Sequence, residues 1–359
     1  MALLGAPQAN GQTGSAPALV FKDDMDRESL HRAIQRSLEF IARLPPSQPV
    51  GELPRVLTAQ EVKESLVDFL DLAALWDRPE ALAREIRARF ELYAAGDERE
   101  GTVLFTGYYQ PVIDGSLTET PIYRFPVYRK PDDLKGPEPP APYLSRHEID
   151  GLGRLRGKGL EIAWVKDPVD LFFLHLQGSG ILRLEGGRAV FLNYAASNGR
   201  PYQSIGRLLV ESGKIPEREI SMQRLRRYLV EQPEERDALL ARNERYVFFR
   251  LLPQGPLGSL EVTLTAGRSV ATDGRLFPKG ALAYIVSRAP VLDARGNVAG
   301  WRPISRFVLN QDSGSAIRGA RRVDLYFGSG YEAGLSAGFM KSEGTIYFLI
   351  KKRAAGDKP

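Results

Sequence analysis

From residue 243 to the end, the chain is written in short strand-length runs. YVFFRLL, SLEVTL, ALAYIVS, SRFVLNQD, RVDLYFG and GTIYFLIKK are rich in β-branched and aromatic residues, with turn residues between them. Several such runs at this spacing predict a closed barrel, because closure leaves no unpaired edge. The same alphabet begins at residue 101 with GTVLFTGYYQPVIDGS. The stretch 116–145 holds seven prolines and reads as extended strands and loops. LFFLHLQGSG, residues 171–180, reads as an apolar strand running into a glycine turn, which puts His175 in a buried strand.

Ahead of this lies a different period. Residues 25–44 place Leu30, Ile34, Leu38 and Ile41 on one helical face. Residues 59–76 do so with Val62, Leu66, Phe69 and Leu70, and residues 79–95 with Leu82, Ile86, Phe90 and Tyr93. These stripes predict a helical layer packed on the barrel. Helices are also expected at 203–213 and 218–231. They carry Arg207, Arg218, Arg224, Arg226 and Arg227, but no recognition-helix signature, so they read as solvated faces and not as a nucleic-acid reader.

Composition narrows the chemistry. Of 359 residues 43% are hydrophobic, enough for a sizeable core. There is no cysteine, which excludes thiol catalysis and cysteine–zinc sites, and three histidines make a multi-histidine metal site unexpected. No cofactor is implied. The net charge of +5 is mild at this length and favours anionic partners only weakly. No apolar run is long enough to span a bilayer. Residues 1–22 lack the basic opening and continuous apolar stretch of a signal peptide and are expected to be disordered; 351–359 reads as a frayed tail.

The segment most suited to catalysis is VLNQDSGSAIRGARRVDLYFGSG, residues 308–330. Asp312 and Asp324 flank a Gly/Ser/Arg loop and each adjoins a strand; Asp273 sits in a third turn, SVATDGRLFPKGA. Asp312 and Asp273 also suit turns, whose N–H groups aspartate accepts. Asp324 lies inside an apolar strand, where an unpaired carboxylate is costly, so its bland alternative is pairing with Arg321 or Arg322. A cation beside a general acid lowers its pKa, opposite to what acid catalysis needs. Arg321 and Arg322 are therefore expected to point away from Asp324 or to bind carboxylates of the substrate.

The pattern DSGSAIRGARRVDLYFG resembles the signature of the MltA family, the membrane-bound lytic transglycosylases A. LFTGYYQP (104–111), YLSRHEIDG (143–151), AWVKDPVDLFFLHLQGSG (163–180), YAASNGRPYQSIG (194–206), NERYVFFR (243–250) and TLTAGRSVATDGRLFPKG (263–280) are similar to further family elements, in family order. The resemblance implies a mainly β fold with flanking helices. A double-psi β-barrel domain, 23–110 and 244–350, would carry an inserted β domain, 111–243, with the substrate groove between them. It maps the three aspartates of the wider 3D group onto Asp273, Asp312 and Asp324, with Asp324 as the catalytic acid and the other two supporting it. Thr106, Gly107, Tyr108, Gln110, Gln177, Ser179, Gly180 and Tyr194 become candidate sugar-binding residues. Strand alternation would expose Thr106, Tyr108 and Gln110 together. The implied partner is the glycan strand of peptidoglycan, cut by a monomer in the periplasm. No lipobox cysteine is visible. The rivals are a non-catalytic wall-binding protein and a hydrolase. An aspartic protease would need two D-[ST]-G strands, and DSG occurs once.

Overall fold

The computed structural model describes residues 19–95, 101–137, 139–314 and 317–353. In chain order the elements are α1 (Arg27–Ile41), β1 (Pro49–Gly51), β2 (Leu57–Thr58), α2 (Ala59–Leu72), α3 (Pro79–Arg89), β3 (Phe90–Ala94), β4 (Val103–Gln110) and β5 (Val112–Ser116). Then come β6 (Phe125–Tyr128), β7 (Glu161–Val165), α4 (Pro168–Gln177), β8 (Ser179–Arg183), β9 (Ala189–Ser197), α5 (Ile205–Glu211), α6 (Met222–Glu231) and α7 (Pro233–Arg242). The chain finishes with β10 (Val247–Leu252), β11 (Ser269–Thr272), β12 (Leu282–Leu292), β13 (Val298–Ser313), β14 (Arg322–Ser329), α8 (Tyr331–Phe339) and β15 (Lys341–Lys351).

The helical layer follows its end signals. Asp26 caps α1 by accepting the Ser29 N–H, and Thr58 with Glu61 forms a reciprocal capping box on α2. The third helix stops at Arg89, earlier than its stripe predicts. Phe90–Ala94 is a strand, because β15 offers it a free edge and takes it up antiparallel.

The barrel sheet runs β12-β13-β11-β14-β4-β15-β3, and β12 also pairs with β15. That second pairing closes six strands on themselves, the closure expected of a double-psi barrel, with β3 outside the ring. Phe105, Val270, Val308, Val323 and Ile346 are fully buried in one cluster that extends under α1 and α2. Two expectations fail here. SLEVTL is not a strand but a turn over the barrel's end, and SVAT supplies β11 instead. Residues 19–22 are not disordered: Phe21 is 1% exposed and packs on Tyr284 and Phe307. Residues 1–18 lie outside the described residues. At the other end, β15 reaches Lys351 and Arg353 pairs with Glu61, so the tail is anchored to there; 354–359 are not described.

The second sheet runs β10-β9-β8-β5-β7-β6. The chain leaves the barrel at Pro111, between β4 and β5. It returns only after β10, which pairs antiparallel with β9. Val247–Leu252 therefore belongs to the inserted sheet, and the expected return at 244 is too early. The predicted strand at 171–177 is α4. Asp167 caps it, Pro168 opens it, and Gly178 ends it in the left-handed region at φ 73°. His175 is buried as expected, but on a helix. No helix among the described residues is long and apolar enough to cross a membrane.

Candidate active site

Sheet register sets the site. Asp312 on β13 and Asp324 on β14 both pair with Ala271 on the strand between them, and Asp324 pairs in turn with Thr106 on β4. Thr106 pairs with Lys341 on β15. Registered neighbours point to the same face, so Asp312, Ala271, Asp324, Thr106 and Lys341 form one row across five strands. The next residues along β14 and β4, Val323 and Phe105, are fully buried in the core. The row is therefore on the outer wall of the barrel. The two acids stand two strand spacings apart, about 9–10 Å at the backbone.

Asp324 is the carboxyl of this row with the best-defined access. Its side chain is 19% exposed, open to a ligand yet largely dehydrated. Burial, the largest influence, pushes its carboxyl up; the Arg322 charge pulls it down and the Asp312 charge pushes it up, leaving it at about 6. The Thr106 hydroxyl donates to Asp324 Oδ1 and accepts from Arg322 Nη2 at 3.1 Å. Arg322 Nη2 is itself 3.7 Å from Asp324 Oδ1. The expectation that Arg322 points away is thus wrong. Residues i and i+2 of a strand share a face, so Arg322 and Asp324 must lie side by side.

The other two aspartates behave differently. Asp312 accepts N–H bonds from Ser259 and its own neighbour Ser313, both at 2.8 Å. Burial still raises its pKa against those donors. It thus pins the 253–267 return segment and lends Asp324 a like charge. The Tyr108 hydroxyl is enclosed beside it, raised well above its usual value by burial and then by the Asp312 charge. Asp273 is 2% exposed and burial raises it, but N–H donors from Gly319 and Arg275 outweigh that, so its carboxyl is held below its ordinary value. It ties Gly319, in the loop between Asp312 and Asp324, to the turn after β11.

The remaining candidates gather unevenly. Tyr108 stacks at an angle on Tyr326, with ring centres 5.2 Å apart. Gln110 is not exposed as alternation predicts; it is 1% exposed, its Oε1 accepts from Ser329, and its Nε2 is buried with no partner. Gln177 Oε1 accepts from Tyr109 N–H at 3.3 Å, and the Pro111 carbonyl accepts from Ile181 N–H. These bonds seat Gln177, Ser179 and Gly180 against the crossover from barrel to inserted sheet. On the other side of the crossover, Gln223 of α6 donates to the Gly334 and Leu335 carbonyls of α8. Tyr194 sits on β9, packs with the inserted sheet's core, and its hydroxyl donates to Pro137.

Gly107 has a steric role. A Cβ there would lie 2.7 Å from Ala337 Cα and 2.8 Å from Phe327 Cε2. Only glycine lets α8 pack this closely on β4. Gly107→Ala is expected to cost about 1–3 kcal/mol, read as a lower urea midpoint at unchanged slope; an unshifted midpoint contradicts this role.

Sequence reading missed Ser329 and Lys341, and named Arg322 beside Asp324 only as the bland alternative. The i, i+2 spacing in RRVDLYFG held the signal for Arg322. Lys341 becomes visible only through the register of β15 on β4. Among the described residues no cluster of three His, Asp or Glu side chains is arranged to hold a metal.

Comparison with known proteins agrees with this architecture. Residues 104–250 match the MltA specific insert domain and residues 268–350 match the 3D domain. The chain is 32% identical over 268 residues to the membrane-bound lytic murein transglycosylase A of Vibrio cholerae, spanning 73% of this chain and 70% of that protein. It is 34% identical over 265 residues to that of Escherichia coli K12, spanning 73% and 69%. The membrane-bound lytic murein transglycosylase structure from Agrobacterium tumefaciens superposes with a TM-score of 0.74 at 30% identity, covering 92% of this chain and 97% of that one. Escherichia coli MltA with bound chitohexaose gives 0.69 at 27%, covering 89% and 90%. An inserted sheet, a closed aspartate-bearing barrel and relatives matched over most of their length place the chain in the membrane-bound lytic murein transglycosylase A family.

Proposed function

We propose that this lytic murein transglycosylase cuts the β-1,4 bond between MurNAc and GlcNAc and leaves 1,6-anhydro-MurNAc ends, with Asp324 as its only acid/base. The supporting observation is a part-exposed carboxyl on the outer barrel wall, raised to about 6 and held by one neutral hydroxyl. Protonated Asp324 gives its proton to the bridging oxygen, and the C1–O bond breaks. The resulting carboxylate takes the proton of the MurNAc C6 hydroxyl as O6 attacks C1. Atoms balance without water, and Asp324 ends protonated, ready for the next bond. Intramolecular attack in a well-oriented ring contributes on the order of 7–11 kcal/mol toward the barrier. Proton transfer contributes about 10²–10⁴-fold.

The glycan lies in this reading at the crossover between the barrel and the inserted sheet. Thr106 and Tyr108 on one side, and Gln177 and Ser179 on the other, line it, with Gln110 and Gly180 buried behind them; Asp312 and Asp273 support the acid. In this reading the work is done at the periplasmic face, on the cell wall, which relatives named membrane-bound support. The test is digestion of purified sacculi in water enriched in oxygen-18. Anhydromuropeptides free of label are expected. Labelled reducing ends mean hydrolysis, and binding without release means a wall-binding protein; either result overturns the reading.

A further inference from the structure

We propose that Arg322 is a positioning residue that, through the Thr106 hydroxyl, fixes which oxygen of Asp324 carries the catalytic proton. The proposal rests on the reading of Asp324 as acid/base. A hydroxyl has one proton and two acceptor sites. Arg322 Nη2, a donor with nothing to accept, occupies one acceptor site of Thr106 at 3.1 Å. The Thr106 proton is therefore directed to Asp324 Oδ1. With Oδ1 committed as an acceptor, the proton of the neutral acid sits on Oδ2, the oxygen left for the substrate.

The offset of the guanidinium matters as much as its presence. At 3.7 Å from Oδ1 it makes no direct hydrogen bond to the carboxylate. A two-pronged clamp would engage both oxygens and keep Asp324 ionised. An arginine one hydroxyl removed leaves one oxygen free, yet still steadies the carboxylate once the proton has gone. Leu104 explains the offset. It is the registered neighbour of Arg322 on β4 and has no acceptor, so the guanidinium leans along the strand to Thr106.

The charged and titratable groups around Asp324 are few. Arg322 and Tyr326 share its strand, Asp312 faces it from β13, Tyr108 from β4, and Lys341 lies beyond Thr106 on β15. Glu343 lies beyond Leu104 in the Arg322 row. Arg322 is the cation that acts on Asp324 directly, so its loss moves the titration of the acid and not only the rate.

The test is the pH dependence of kcat/KM on soluble GlcNAc–MurNAc strands for wild type, Arg322→Met, Arg322→Gln and Arg322→Lys. Both neutral variants are expected to shift the alkaline limb upward by about one unit and to lose about tenfold in rate at the plateau. Arg322→Lys keeps the charge but not the fork; its limb is expected to stay near wild type while the plateau falls. Arg322 is a third exposed, so these variants are expected to fold, and either neutral variant suffices. Limbs superimposable on wild type in a folded neutral variant overturn the proposal. Asp324→Asn separates the two readings. If it keeps wild-type product, the acid/base assignment itself fails. If it is inactive while the Arg322 limb stays put, only the role of Arg322 fails.

Discussion

Asp324→Asn is expected to abolish anhydro product from sacculi, a loss of at least about 10²–10⁴-fold, while leaving the barrel folded. Asparagine keeps the shape and an oxygen for the Thr106 hydroxyl, but carries no exchangeable acid proton. The same substitution is expected to stabilise the protein at alkaline pH. The folded carboxyl titrates near 6, above its ordinary 3.8. A raised carboxyl gives its full contribution to stability below about 3.8 and loses it as pH rises through about 6. Asparagine suffers no such loss, so at pH 8 the variant gains up to about 3 kcal/mol over wild type, and much less at pH 4. Melting curves at the two pH values check this. A gap that does not widen with pH contradicts a desolvated acid, and retained product contradicts a catalytic one.

The second large effect concerns stability. Asp23→Ala is expected to cost about 3–5 kcal/mol, because it strands a buried cation. Arg268 is 0% exposed and Asp23 2%. Its guanidinium reaches Asp23 at 2.6 Å, the Phe307 carbonyl and the Asp26 carbonyl at 2.8 Å, and Ser29 Oγ at 2.9 Å. One side chain thus ties the segment before α1, the α1 cap and β13 together. Replacing both partners, Asp23→Leu with Arg268→Met, is expected to recover part of the loss, since no charge is left unpaired. Urea midpoints of the single and double variants decide it. A single variant as stable as wild type contradicts the latch, and so does a double variant worse than the sum of its parts. The folded fraction of Asp23→Ala is expected to keep making anhydro product, because the latch lies away from the acid.

The sequence carried the strand of Asp324 well. In RRVDLYFG the alternation puts Val323 and Leu325 inside and leaves Asp324 outside, and the coordinates follow it. Alternation along TGYYQ put Thr106 and Tyr108 on one face, although Gln110 turned inward where Ser329 donates to its oxygen; only the register of β4 on β14 sets Thr106 beside Asp324. Local apolar pattern failed where partners are distant or every face is buried. LFFLHLQ has no period because α4 is enclosed nearly all round, and the Asp167-Pro168 start signal was the better guide. FELYA continued a helical stripe, yet β15, more than 250 residues later, claims it as a strand. Arg322 was misjudged by treating a cation near an acid as disqualifying; its charge does pull the carboxyl down, but burial outweighs it.

The most direct measurement is the titration of the Asp324 carboxyl by carbon-13 NMR in aspartate-labelled protein, its resonance identified by its absence from Asp324→Asn. A midpoint near 6 is the expected result, leaving about one molecule in ten protonated at pH 7 and able to donate. A midpoint at or below 3.8 means a permanently ionised carboxylate and contradicts the role of Asp324 as proton donor.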